Sequence, residues 1–79
     1  APGADSIATL IERRMDALDL DEPFSPRERE VVALVLRGNN VHAIARKLYI
    51  SENTARDHMK SIYRKADVHS RQELIDLFD

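Results

Sequence analysis

Arg56, Lys60 and Arg64 stand four residues apart within "SENTARDHMKSIYRK", residues 51–65, in a chain whose formal net charge is -2. On a helix that spacing carries three cations to one face, together with Asn53 and Asp57, because residues three and four apart are neighbours there. A cationic helix face can do two things to a nucleic acid: neutralise phosphates and hydrogen-bond the edges of bases. Ser51, Asn53 and Thr54 lie at the amino end of the same segment, where short polar side chains donate to phosphate beside the positive helix terminus. The plainer reading of the stripe is a solvated surface helix with ordinary salt pairs.

Charge is unevenly distributed along the chain. Residues 1–23 carry Asp5, Glu12, Asp16, Asp19, Asp21 and Glu22 against Arg13 and Arg14, a net -4, whereas residues 37–71 carry a net +5. A polyanion meeting this chain would meet its basic centre. Other chemistries find little support. His42, His58 and His69 are 16 and 11 residues apart, with no pair at the helical spacing a metal site would use. There is no cysteine, the serines fall at helix starts or on exposed faces, and two glycines cannot build a phosphate-cradling loop. The expectation is therefore no enzyme, no metal and no cofactor. Tyr49 and Tyr63 could stack on single-stranded bases, but on separate helices they read as residues at the rim of a core.

These residues must be positioned by helices, since no segment alternates with period 2. Ile7, Leu10, Ile11, Met15 and Leu18 recur at helical spacing behind Asp5 or Ser6, either of which can cap. "DLDEP" then breaks the pattern and sets a boundary at residue 23, separating an N-terminal linker helix (1–23) from a unit at 24–79. That unit opens on Ser25, Pro26 and Glu28, the signature of a capping box, and its apolar "VVALVL" reads as a buried helix ended by Gly38. Asn40 caps a short helix bearing Val41, Ile44, Ala45 and Leu48. Ser51 caps a longer one from Glu52 to Ala66, with Ala55, Met59, Ile62 and Ala66 on the inward stripe. Ser70 and Glu73 open a last helix carrying Leu74, Ile75, Leu77 and Phe78. The fold class is all-α: a small bundle of four helices in residues 25–79, preceded by the linker helix. A short helix, a three-residue turn and a second cationic helix describe a helix-turn-helix at about residues 41–60.

At these residues the chain resembles the LuxR/GerE-type DNA-binding domain of bacterial transcription regulators. The matching pieces are "SPREREVVAL", "IARKLYISENTARDHMKSIYRK" and "VHSRQEL". The first two have counterparts in the last region of sigma factors, but the run from His58 to Lys65, followed by Val68, Ser70 and Arg71, is similar to LuxR-type domains and not to sigma. The resemblance implies a four-helix bundle with helix 52–66 in the major groove of double-stranded DNA and the last helix pairing two copies, through Ile75 and Phe78. It implies base contacts by Arg56, Asp57 and Lys60, and phosphate contacts by Ser51, Thr54 and Lys65, with Asn40 and Val41 approaching the backbone; Asn53 and Arg64 join the phosphate set from their place on the same face. An upstream sensor or receiver region and a homodimer on DNA are expected, and RNA polymerase is a candidate partner. Four departures stand out. Asp57 puts a carboxylate toward DNA, Ala43 denies the Asn40 cap its reciprocal partner, Asn39 loosens a loop, and Asp67 must take a left-handed turn that glycine takes more easily.

The function expected is thus sequence-specific binding of double-stranded DNA, as the output domain of a regulator. The competing reading is a sigma-like or other helical module that docks on the transcription machinery without touching DNA. Absence of cysteine suits a reducing, cytoplasmic setting. The opening "APGADS" has neither Met nor the regions of a secretory signal, so the chain reads as a piece of a longer protein.

Overall fold

A computed structural model of the chain describes residues 7–78, with side chains from Thr9 onward. It contains α1 (Ile7–Ala17), α2 (Pro26–Leu36), α3 (Val41–Leu48), α4 (Glu52–Ala66) and α5 (Arg71–Asp76), with no strand among the described residues. The five expected helices are present. The cap expected at Asp5 or Ser6 and the side chain of Ile7 lie outside the described residues.

Four of the helices start where a short polar side chain accepts a backbone amide three residues on. Ser25 Oγ accepts from Glu28 N, Asn40 Oδ1 from Ala43 N, Ser51 Oγ from Thr54 N and Ser70 Oγ from Glu73 N, at 2.9–3.2 Å. The capping box of α2 is complete, because Ser25 N donates back to Glu28 Oε1 at 2.8 Å. At α5 the return bond is displaced by one residue: Glu73 Oε2 accepts from the amide of His69 at 3.1 Å.

Three helices stop in one way. Asn39 N, Ile50 N and Val68 N each donate to the carbonyl five residues back, around a left-handed residue at Gly38, Tyr49 or Asp67. This closure satisfies carbonyls that the helix end would otherwise leave unpaired. Only Gly38 takes the conformation without steric cost, since a Cβ on Tyr49 or Asp67 approaches the backbone. The left-handed turn expected of Asp67 is there (φ 56°, ψ 48°). Asn39 does the opposite of loosening its loop: its Nδ2 donates to Leu34 O at 2.9 Å and its Oδ1 accepts from Lys47 Nζ at 2.7 Å.

α2 packs against each of the other four helices and so forms the centre of the molecule. Val31, Val32 and Val35 on α2, Ile44 on α3, Ala55 and Ile62 on α4 and Leu74 on α5 are wholly buried. Each large side chain buried there contributes about 1.5–3 kcal/mol of transfer free energy. Phe24, just before α2, is buried as well, and Ile11 and Met15 turn the apolar face of α1 onto the same core. Arg14 of α1 donates to the carbonyl of Phe78, tying the first helix to the end of the last.

Candidate nucleic-acid interface

α3, the turn at residues 49–51 and α4 form a helix-turn-helix whose second helix has two unlike sides. Ala55, Met59, Ile62 and Ala66 are buried, while Asn53, Arg56, Asp57, Lys60 and Arg64 are all exposed. Ile44 and Ala45 of α3 are buried in the same core as the inner side of α4. The outer side is therefore carried on a helix fixed from behind.

The cations on that side differ in their engagements. Lys60 and Asp57 have no ion pair or side-chain hydrogen bond with any described residue. Arg56 Nη2 donates to Glu52 Oε1 at 3.3 Å, and the second oxygen of Glu52 lies 3.0 Å from Nδ1 of His42 on α3. The bond with His42, together with the charges of His42 and Arg56, holds the Glu52 carboxyl below the ordinary carboxylate range. Arg64 Nη1 donates to Glu22 Oε1 at 2.8 Å, which lowers the Glu22 carboxyl and raises the Arg64 guanidinium. Asn40 and Ser51 are exposed although both serve as caps, Thr54 shares a 2.9 Å hydroxyl bond with Ser51, and Val41 is half-buried.

Lys65 departs from the expected phosphate contact. Its side chain is 9% exposed, and its ammonium donates to Glu28 Oε1 at 2.6 Å and to the carbonyl of Pro23 at 3.2 Å. Burial alone would push the Glu28 carboxyl up. Bonds from Lys65, from Ser61 Oγ at 2.6 Å and from the Ser25 amide outweigh it and hold Glu28 down to about 2. Residue 65 is about 100° of helix from residue 64, enough to turn the ammonium from the outer side toward α2. In this arrangement Lys65 is an internal partner, not a cation offered to a polyanion.

Two further expectations are corrected. Phe78 is buried within the chain, 8% exposed, so it is not available as a seam between copies; Leu77 is exposed and Ile75 half-buried. Tyr49, expected at the rim of the core, is 95% exposed. It was missed because a left-handed residue at the end of α3 rotates out of the helical register on which a wheel is drawn. Tyr63 is half-buried, and its burial raises its hydroxyl above the ordinary value. No cluster of three His, Asp or Glu among the described residues could hold a metal ion, and no described helix is long and apolar enough to cross a membrane.

A helix-turn-helix with a basic, solvent-facing second helix is the class of module that this fold and this face define. Residues 22–78 match the family described as bacterial regulatory proteins, luxR family, and the chain belongs to it. It is therefore a DNA-binding domain of the type found in transcription regulators. The chain is 36% identical over 77 residues to a protein of Aeromonas salmonicida described as an HTH-type transcriptional regulator in the exeN 3' region, covering 98% of this chain and 39% of that protein. It is 39% identical over 57 residues to the monoamine regulon transcriptional regulator of Klebsiella aerogenes, covering 72% of this chain and 25% of the relative. With the transcriptional regulatory protein YxjL of Bacillus subtilis it shares 33% identity over 64 residues, 81% of this chain and 29% of the relative. The chain thus spans between a quarter and two fifths of the length of these curated relatives. No solved structure matches it.

Proposed function

We propose that this chain reads the sequence of double-stranded DNA with α4 in the major groove. Arg56, Asp57 and Lys60 meet base edges, and Asn40, Val41, Ser51, Asn53, Thr54 and Arg64 lie along phosphates. The observation that carries the reading is the exposed row of Asn53, Arg56, Asp57, Lys60 and Arg64 on a helix whose opposite side is sunk in the core. Asp57, free of any described cation, suits a cytosine amino group, the base-edge donor a carboxylate can accept from.

Two copies act together across half-sites about 34 Å apart, one turn of the duplex. Half-buried Ile75 of α5 and exposed Leu77 just past its end supply the apolar seam, Leu77 in place of Phe78. These two relatives are named as transcriptional regulators and are about two and a half to three times as long as this chain. On that basis the chain is the output end of a longer regulator, whose sensing region controls how often two such domains meet on DNA. Contact with RNA polymerase would belong to that assembly.

Titration of duplex at rising salt tests the reading. Contact with about four to six phosphates gives a slope of log K against log salt near -4 to -5, whereas apolar docking on a protein gives little dependence. Lys60→Ala should weaken the preferred duplex by about 1–3 kcal/mol and random duplex by less. Arg64→Ala should weaken both equally. No affinity for duplex at low ionic strength would overturn the proposal.

A further inference from the structure

Glu52 begins α4 one turn before Arg56, and its two carboxylate oxygens engage different partners. One accepts from Arg56 Nη2 at 3.3 Å, and the other lies 3.0 Å from Nδ1 of His42 in the first turn of α3. An exposed pair at i and i+4 does little when both side chains swing freely. This one is held at a second point, because His42 belongs to a different helix and α3 and α4 are packed together. The carboxylate is therefore a bracket between the two helices of the motif.

Such a bracket has two effects on DNA binding. Arg56 gives Glu52 one of its five N–H donors and keeps the rest for the paired acceptors of a guanine edge. Held in advance, it loses less rotamer freedom on entering the groove. The same carboxylate, half exposed beside the outer face of α4, is repelled by the phosphates of any duplex, whatever its sequence. Resting on the reading of Arg56 as a base contact, we infer that Glu52 is a positioning residue for sequence discrimination: braced by His42, it aims Arg56 at one base pair while lowering affinity for all duplexes alike. Specificity built this way uses a repulsive element as well as an attractive one.

The test is a set of anisotropy titrations at one low salt concentration. The probes are a labelled duplex enriched from a random pool on this chain and a scrambled duplex of the same composition. Glu52→Ala should tighten binding of the scrambled duplex about two- to threefold while weakening the enriched one about twofold, so that the preference falls about fivefold, a fraction of what one good base contact supplies. Glu52→Gln, which keeps the side chain's length, should shift the preference in the same direction, with circular dichroism melting to show that both variants are folded. His42→Ala should lower the preference by a smaller factor. In an Arg56→Ala background, Glu52→Ala should move both duplexes by one common factor.

A merely structural role would weaken both duplexes together and a merely electrostatic one would strengthen both together. Either result, with the preference unchanged for Glu52→Ala and Glu52→Gln, overturns the inference. If Arg56→Ala alone lowers the preference in that case, the base contact survives and only the bracket fails. If Arg56→Ala leaves the preference intact, the reading of Arg56 has failed and the inference falls with it.

Discussion

Lys60 and Lys65 leave the same helix five residues apart and carry the same charge, yet Lys60 extends into solvent unpaired while Lys65 is drawn against Glu28, Pro23 and the core. The difference originates on α2. Glu28 is placed by the capping box with Ser25 and ends 5% exposed, and a buried carboxylate must be matched by a cation and hydrogen bonds to be tolerated. Lys65 and Ser61, one turn apart on the flank of α4, supply both. One residue thus starts α2 and fastens α4 to it, which orients the rear of α4 and leaves its front free. Cations on one helix divide according to where the partner elements bury carboxylates, and a count of basic residues cannot show that division.

The largest effect that separates the two lysines is on stability. Lys65→Met should destabilise the domain by about 3–5 kcal/mol, the usual result of leaving one member of a buried ion pair alone. Lys60→Met should change it by less than about 0.5 kcal/mol, as exposed substitutions do. Urea unfolding followed by circular dichroism measures both, and equal values for the two would erase the distinction.

Acid offers the next test. Glu28 titrates near 2 in the folded chain against an ordinary value of 4.5. Because the folded value is depressed, its contribution is present in full above about pH 4.5 and is lost as pH falls through about 2. The shift corresponds to on the order of 3 kcal/mol, at about 1.4 kcal/mol per pH unit. Stability measured between pH 5 and pH 2 should fall steeply in the native chain, and Glu28→Gln should flatten that part of the curve. A curve of the same steepness in Glu28→Gln would place the acid sensitivity elsewhere.

Most of the helical architecture was legible because caps are local. Ser25, Asn40, Ser51 and Ser70 each sit three residues before the amide they accept, and no tertiary information is needed to see them. The outer row on α4 was legible for the same reason, since Arg56, Lys60 and Arg64 keep one helical period. What failed depended on neighbours outside the helix being read. Lys65 could be turned inward only by a carboxylate 37 positions away. Phe78 turned inward and Leu77 outward just past α5, where Phe78 N bonds back to Ile75 and Phe78 O receives Arg14 from α1. Phe24 drew no notice because a single aromatic between Pro23 and Ser25 has no periodicity to reveal that it packs on the core.

Chemical labelling sharpens the comparison without altering the sequence. An amine-acetylating reagent followed by mass spectrometry should modify Lys60 and Lys47 readily, whereas Lys65 should lag by about tenfold or more, since its ammonium must first break free of Glu28. Adding duplex should slow Lys60 and leave Lys65 unchanged. Protection of Lys65 by duplex would instead return it to the phosphate contacts.

Arg64 lies between the two extremes and gives the smallest effect. It is exposed like Lys60 but ion-paired like Lys65, and its partner, Glu22, belongs to the acidic connector that joins α1 to α2. Both members face solvent, so the pair contributes little to folding and is weakened by salt. A phosphate brought beside Arg64 therefore competes with a weakly held carboxylate, and DNA should displace Glu22. Glu22→Gln removes the competitor and one negative charge, and should tighten duplex binding about twofold at low salt, with the gain fading toward 0.5 M as screening shortens to a few ångströms. The gain should vanish in an Arg64→Ala background if Glu22 acts through Arg64. If it persists there undiminished, Glu22 acts only through the general field of the connector, and Arg64 belongs with Lys60 as a cation already free for DNA.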